Sequence, residues 1–195
     1  KNLRAILGEL DLLSCPYEVI VVVDGEDDHS RQEAEKVNSS YLFVTGYKTN
    51  HGKGYAVRFG MAKSKGDIII FMDGDGTDPG YYIPKLLKKL EKANLVLGCR
   101  SSKKFKRQSD KMHQFFALWN VISYPTTQMF GMKVSDPLAG FRAIRRSDWD
   151  ELELKSNDFA IETEMNIKAI KKNFIIKQVI IPNLKRCGGL SSSKF

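Results

Sequence analysis

The chain has 195 residues, 42% hydrophobic and 28% charged, with a formal net charge of +8; this fits one globular domain with a sizeable core and favours an anionic partner. Cys15, Cys99 and Cys187 are far apart, as are His29, His51 and His113, which argues against a disulfide framework or a zinc site and for a reducing compartment. No stretch reaches the roughly 18 apolar residues of a membrane span, and no secretory leader is read at the start of the chain.

Taken in order, residues 2–13 place Leu3, Ile6, Leu7, Leu10 and Leu13 at helical spacing, and Pro16 ends that helix. Residues 17–24, YEVIVVVD, read as a buried strand closing in Asp24 and Gly25. Residues 30–38 read as a short helix with Ser30 as N-cap and Glu33 at the capping-box position. A second strand follows at 41–46, a helix at 54–66, a third strand at 67–73, a helix at 82–93 with Pro84 near its start, and a fourth strand at 94–100. Strands alternating with helices predict an α/β fold, with a mostly parallel central sheet flanked by helices on both faces.

In such folds ligands bind beyond the carboxyl ends of the strands. Two strands end in acid: VVVDG at Asp24 and Gly25, and FMDGDG at Asp73, Gly74 and Asp75. Glycines allow a sharp turn and a close approach by ligand. Two carboxylates one residue apart can share one hard cation, which can then hold a diphosphate. The competing reading is a plain turn between strand and helix. No glutamate falls at the twelfth loop position, which speaks against an EF-hand. Lys53, in GKG, is placed to meet phosphate or to be a solvated turn lysine; the spacing is not that of a Walker motif.

These segments resemble the inverting family 2 glycosyltransferases of glycosyltransferase-A fold, and among them the dolichyl-phosphate mannose and glucose synthases. VVVDGEDDHS (21–30) is similar to the family's nucleotide-binding turn, and residues 50–79 to its segment from the GKG loop to the metal-binding D-x-D. VSDPLAGFRAIRR (134–146) is similar to the acceptor-side motif, FAIETEMNIKAIKK (159–172) to the acidic helix, and residues 181–195 to the closing R-x-G-x-S-K segment. Five such motifs in order are specific where any one is weak. Val23, Glu26 and Thr77 depart from the family's usual residues.

The resemblance implies a single catalytic domain, with a nucleotide-sugar half at 1–99 and an acceptor half at 100–195. It implies that Asp24, with Gly25 and Asp28 of the same turn, contacts the nucleoside. Asp73 and Asp75, with Gly74 between them, would hold Mg or Mn against the diphosphate, with Lys53 nearby. Asp136 would orient or deprotonate the acceptor, and Asp136, Asp75 and Arg186 would be the catalytic residues. Glu162 and Glu164 would lie under the sugar or brace the site. They are two apart on a helix, so at most one faces it squarely unless both lie at the helix start. Arg186 and Lys194 would cover the diphosphate, where cations stabilise the charge of the leaving group. The family also begins with a strand ahead of residue 1, central in the sheet, and that strand is expected upstream.

Residues 100–111, RSSKKFKRQSDK, are strongly basic, and the aromatic-rich segment 112–134 follows. Together they suit an anionic membrane surface; a solvated charge run before a core helix is the competing reading. With the resemblance, the expected function is metal-dependent transfer of a hexose from a nucleotide-diphosphate sugar to a polyprenyl or dolichyl phosphate. It would take place at the cytoplasmic face of a membrane, without nucleic acid. A soluble or polysaccharide acceptor, a sugar-1-phosphate nucleotidyltransferase and an inactive nucleotide-sugar-binding domain are the alternatives.

Overall fold

The computed structural model describes residues 2–13, 15–25, 29–100 and 134–186. Asp28, Lys194, the basic run from 101 and the aromatic segment to 133 lie outside the described residues.

Helix α1 (Asn2–Leu10) leads to strand β1 (Val19–Asp24), helix α2 (Ser30–Glu35) and strand β2 (Leu42–Tyr47). Helix α3 (Lys53–Lys63), strand β3 (Ile68–Phe71), a 3-10 turn (Gly80–Tyr82), helix α4 (Ile83–Leu90) and strand β4 (Leu95–Arg100) follow. Strand β5 (Arg142–Arg145), helix α5 (Arg146–Leu152), helix α6 (Ile161–Lys171) and strand β6 (Ile176–Ile181) complete the described elements.

All four expected strands form. The third is shorter than its apolar run, because the ladder stops at Phe71 and the Asp73 N–H turns to the Asp78 carboxylate instead of a neighbouring strand. Helix α2 differs at its start: its N-cap is His29 and not Ser30, and the Glu33 carboxylate pairs with Lys36 and not with the cap. Strands β5 and β6 were not foreseen. The first has four residues with arginine at both ends, which hides an apolar pattern.

β1 and β2 pair in parallel, from Val19 with Leu42 to Asp24 with Tyr47. The other sheet runs β3-β5-β4-β6. β5 is antiparallel to both neighbours, whereas β4 and β6 are parallel, so β3, β4 and β6 share one direction. This sheet mixes strands from both sides of residue 100, so that boundary does not separate two folded units. Among the described residues no ladder joins β1 to β3. Their starts are nonetheless close, since Glu18 Oε1 accepts the Gly66 N–H at 3.0 Å.

The sheet is buried on both faces. Leu95, Leu97 and Cys99 of β4 pack with Met61, Trp149, Leu152, Ile161 and Met165, from α3, α5 and α6. Val96 points the other way, toward Leu10, Ile83, Leu86 and Leu90 of α1 and α4. A continuous apolar strand is what such two-sided burial requires.

Candidate active site

The acids gather beyond the end of β3. Lys53, the first residue of α3, places its ammonium 2.7 Å from Asp73 Oδ1 and 2.6 Å from Glu162 Oε1, in the first turn of α6. Burial works against this charge, but the two carboxylates outweigh it and raise the lysine above its ordinary range. Gly140 closes over the pair: a Cβ there would lie 2.8 Å from Asp73 Oδ2 and 2.9 Å from Lys53 Nζ.

Asp75 has a different set of partners. Its Oδ1 accepts the Thr77 N–H at 3.0 Å and the Thr77 hydroxyl at 2.6 Å, and its Oδ2 accepts Arg186 Nε–H at 3.1 Å. Burial pushes its pKa up, but Thr77 and Arg186 together bring it below the usual range. Gly74, between the two aspartates, has open space on its Cβ side. Asp78 is held by the loop it closes, accepting the Asp73 N–H at 2.7 Å. Burial, and then the Asp73 charge, push its pKa up to about 7.

Asp24 faces the turn that carries Lys53. Its Oδ1 accepts the His51 N–H at 2.8 Å, and its Oδ2 the Gly52 N–H at 3.0 Å. Its carboxylate therefore positions that turn. Gly25 beside it has φ of 102°, and its N–H bonds to Tyr47 O at 3.2 Å.

Glu162 and Glu164 point apart, as a two-residue spacing on a helix requires. Glu162 is buried against Lys53, whereas Glu164 accepts the N–H groups of Lys155 and Ser156 and pairs with Lys168. Burial raises its pKa, but Lys168 and the two N–H groups win and hold it at about 2. The loop that Glu164 anchors supports the glycines on either side of Lys53. A Cβ at Gly52 would stand 2.6 Å from Asn157 O, and one at Gly54 2.3 Å from Ser156 O.

Asp136 is 5% exposed; its Oδ2 meets Arg100 Nε at 2.9 Å, and its Oδ1 is buried with no hydrogen-bond partner among the described residues. Arg142, 1% exposed, holds the loop between Asp136 and Gly140 in place. It donates to Ala139 O at 2.7 Å, Pro137 O at 2.8 Å and Asn166 Oδ1 at 2.8 Å. Sequence reasoning missed Asp78, Arg100, Gly140 and Arg142 as site residues. Asp78 stood in the acid stretch itself and Arg142 in the GFR motif, so both had a signal; Arg100 and Gly140 had none beyond their neighbours.

Among the described residues no group of three or more His, Cys, Asp or Glu is arranged to hold a metal ion. Asp73 and Asp75 remain a hard-oxygen pair, and each already meets a cation of the chain. They suit a divalent cation whose remaining oxygens come from a ligand such as a diphosphate. No helix among the described residues is long and apolar enough to cross a membrane.

Residues 3–152 match the model of the family described as Glycosyl transferase family 2. The chain is 27% identical over 173 residues to a dolichol-phosphate mannosyltransferase of Pyrococcus furiosus, covering 86% of this chain and 49% of that protein. Over 186 residues it is 25% identical to a dolichyl-phosphate hexose transferase of Haloferax volcanii, covering 94% of this chain and 78% of that one. It thus spans about half the length of the Pyrococcus relative and more of the Haloferax one. A crystal structure of glucosyl-3-phosphoglycerate synthase from Mycobacterium tuberculosis with Mn2+, UDP and phosphoglyceric acid superposes with a TM-score of 0.69 at 19% identity. That match covers 97% of this chain and 67% of the other. It shows the glycosyltransferase-A type of fold.

Proposed function

The chain belongs to glycosyl transferase family 2, and on that premise we propose that it moves a hexose from a nucleotide-diphosphate sugar to a polyprenyl phosphate at a membrane surface. The observation that carries this reading is the pairing of acid and base at the end of β3: Asp73 with Lys53 and Asp75 with Arg186. Such a site holds a polyanion by exchanging partners, with no net charge left buried. The relatives named for dolichyl-phosphate transfer support the acceptor class.

In this reading Asp73 and Asp75 would hold Mg or Mn, which supplies Lewis acidity to the departing diphosphate. Arg186 meets the negative charge that grows on the nucleoside diphosphate as the sugar leaves. A phosphate oxygen of the acceptor attacks the anomeric carbon, the bond to the nucleoside diphosphate breaks, and the configuration inverts. The acceptor phosphate is already ionised at neutral pH, so a strong base is not needed. Asp136 has a buried oxygen with no partner among the described residues, and it orients the acceptor more than it deprotonates it. Asp24 acts on the nucleotide through the turn of Lys53. We place the enzyme on the cytoplasmic face of a membrane, where such donors are found.

We also infer that an extended segment completes the sheet between β1 and β3, whose facing edges have no strand partner among the described residues. Unpaired edges in a buried sheet leave backbone groups to be satisfied.

The function is tested by incubating the chain with labelled UDP- and GDP-sugars, Mn and a short-chain polyprenyl phosphate in detergent. Label should appear in the lipid phase only with metal present. Label released to water alone, or moved only to a soluble acceptor, would overturn the acceptor assignment.

A further inference from the structure

Helix α4 begins directly after the acid loop, separated from Asp78 only by Pro79 and the 3-10 turn. Its inner face is fixed: Ile83, Leu86 and Leu90 are at most 3% exposed. Its outer face carries Lys85, Lys88 and Lys89, and Lys92 follows in the next turn, all exposed. The spacing i, i+3, i+4, i+7 puts the four in one row about 10 Å long. Glu91 is the only acid in the segment, and no ion pair to any of the four lysines occurs among the described residues. Lys85 lies over the Tyr82 ring, 4.3 Å from its centroid, and Tyr81 is 49% exposed at the head of the row. Two lysines in the last turn suit the helix dipole, but that accounts for neither Lys85 nor the exposed tyrosine.

We propose that this face docks on an anionic lipid surface and brings the mouth of the site to the bilayer. The surface is unassigned by the functional reading above, but the proposal rests on that reading for its lipid acceptor. A flat bilayer of many anions matches a rigid lysine row that has no pocket or fork for one ligand. Tyrosine at the head of the row suits the headgroup layer, where an apolar ring and a wet hydroxyl are both accommodated. A nucleic acid would also attract lysines, but among the described residues the row carries one well-exposed ring, Tyr81, and no succession of rings along it on which bases could stack.

The test is flotation with phosphatidylcholine vesicles, with and without phosphatidylserine, at low and high salt. The parent chain is compared with a variant carrying Lys85→Gln, Lys88→Gln, Lys89→Gln and Lys92→Gln. Residues 101–111 stay unchanged, so any loss belongs to α4. We expect the parent to bind only anionic vesicles and to release at high salt. The variant should lose two orders of magnitude or more in partition coefficient, since each basic residue near the surface contributes roughly fivefold. Equal binding by the variant, no binding by the parent, or equally tight binding of duplex DNA lost with the same variant would overturn the proposal. Transfer to short-chain polyprenyl phosphate in detergent separates the two readings. A variant active in detergent but weak on vesicles supports the surface. No transfer by either chain in detergent overturns the acceptor assignment and leaves flotation to decide the surface.

Discussion

Gly140 and Lys53 are so close that a side chain at 140 cannot fit without moving the site: a Cβ would stand 2.9 Å from Lys53 Nζ and 2.8 Å from Asp73 Oδ2. The Gly140→Ala variant must therefore push the ammonium, the carboxylate or the loop. The atoms that must yield are the ends of flexible side chains, so the cost to stability is small, and it falls on groups proposed to bind ligand. We expect a modest fall in Tm together with at least a tenfold loss (about 1.4 kcal/mol) in Mn-dependent nucleoside-diphosphate affinity by calorimetry. Parent-like affinity would show that the loop yields without disturbing Asp73.

Lys53 neutralises two carboxylates, and Glu162 is buried beside it. Lys53→Met removes the shared cation and keeps most of the volume. Breaking such a pair by deleting one partner costs roughly 3 kcal/mol or more, because it leaves buried charge unpaired. Urea unfolding should show that loss at pH 7. Stability equal to that of the parent would mean that Asp73 and Glu162 find other partners and that the shared ammonium is not what holds them.

Much of this site was legible in sequence, because strand ends mark themselves. A continuous apolar run that stops in Asp73 and Asp75 implies a ligand beyond the carboxyl edge, and the structure puts them there. Glu162 and Glu164 could be separated in advance by helix geometry, although not which one faced inward. What stayed hidden depends on tertiary contact. Strand β5 was hidden because RAIR carries an arginine at each end; Arg142 is buried by bonding to carbonyls of its own loop. The hydrogen bonds of Asp24 were hidden because its partners are the backbone N–H groups of His51 and Gly52, and every residue type but proline carries such groups.

Glu164 gives the pH prediction. Its pKa is held at about 2, below that of the same group in an unfolded chain. A depressed carboxylate contributes stability that is fully present above the unfolded value and is lost as the pH falls from about 4.5 toward 2. Because the side chain borders solvent, we discount the full shift and expect about 1–2 kcal/mol at pH 7. Glu164→Gln should be less stable than the parent by that amount at pH 7 and equal to it near pH 2. The loss should also loosen residues 155–157, seen as faster amide exchange at Ser156. A difference between the two proteins that persists at pH 2 would assign the effect to hydrogen-bond geometry and not to charge.

Asp75 and Arg186 share one hydrogen bond, 3.1 Å from Nε to Oδ2, and the two residues have separable roles. Asp75→Asn removes an anion from the proposed cation site and keeps the shape of the side chain. Binding of Mn alone and of nucleoside diphosphate with Mn should both fall by tenfold or more, with only a small fall in Tm, since Asp75 is half-buried in the loop and stands outside the apolar clusters. Arg186→Met takes away a positive charge that competes for the same Oδ2. Its Mn affinity should hold or rise, while its affinity for nucleoside diphosphate falls; a hydrogen bond to a charged group is worth about 1.5–3 kcal/mol, or roughly ten- to hundredfold. Calorimetry with Mn alone, and then with diphosphate added, resolves the two arms. The assignment of Arg186 to the leaving group would be wrong if Arg186→Met left diphosphate affinity unchanged. The assignment of Asp75 to the cation would be wrong if Asp75→Asn bound Mn as the parent does.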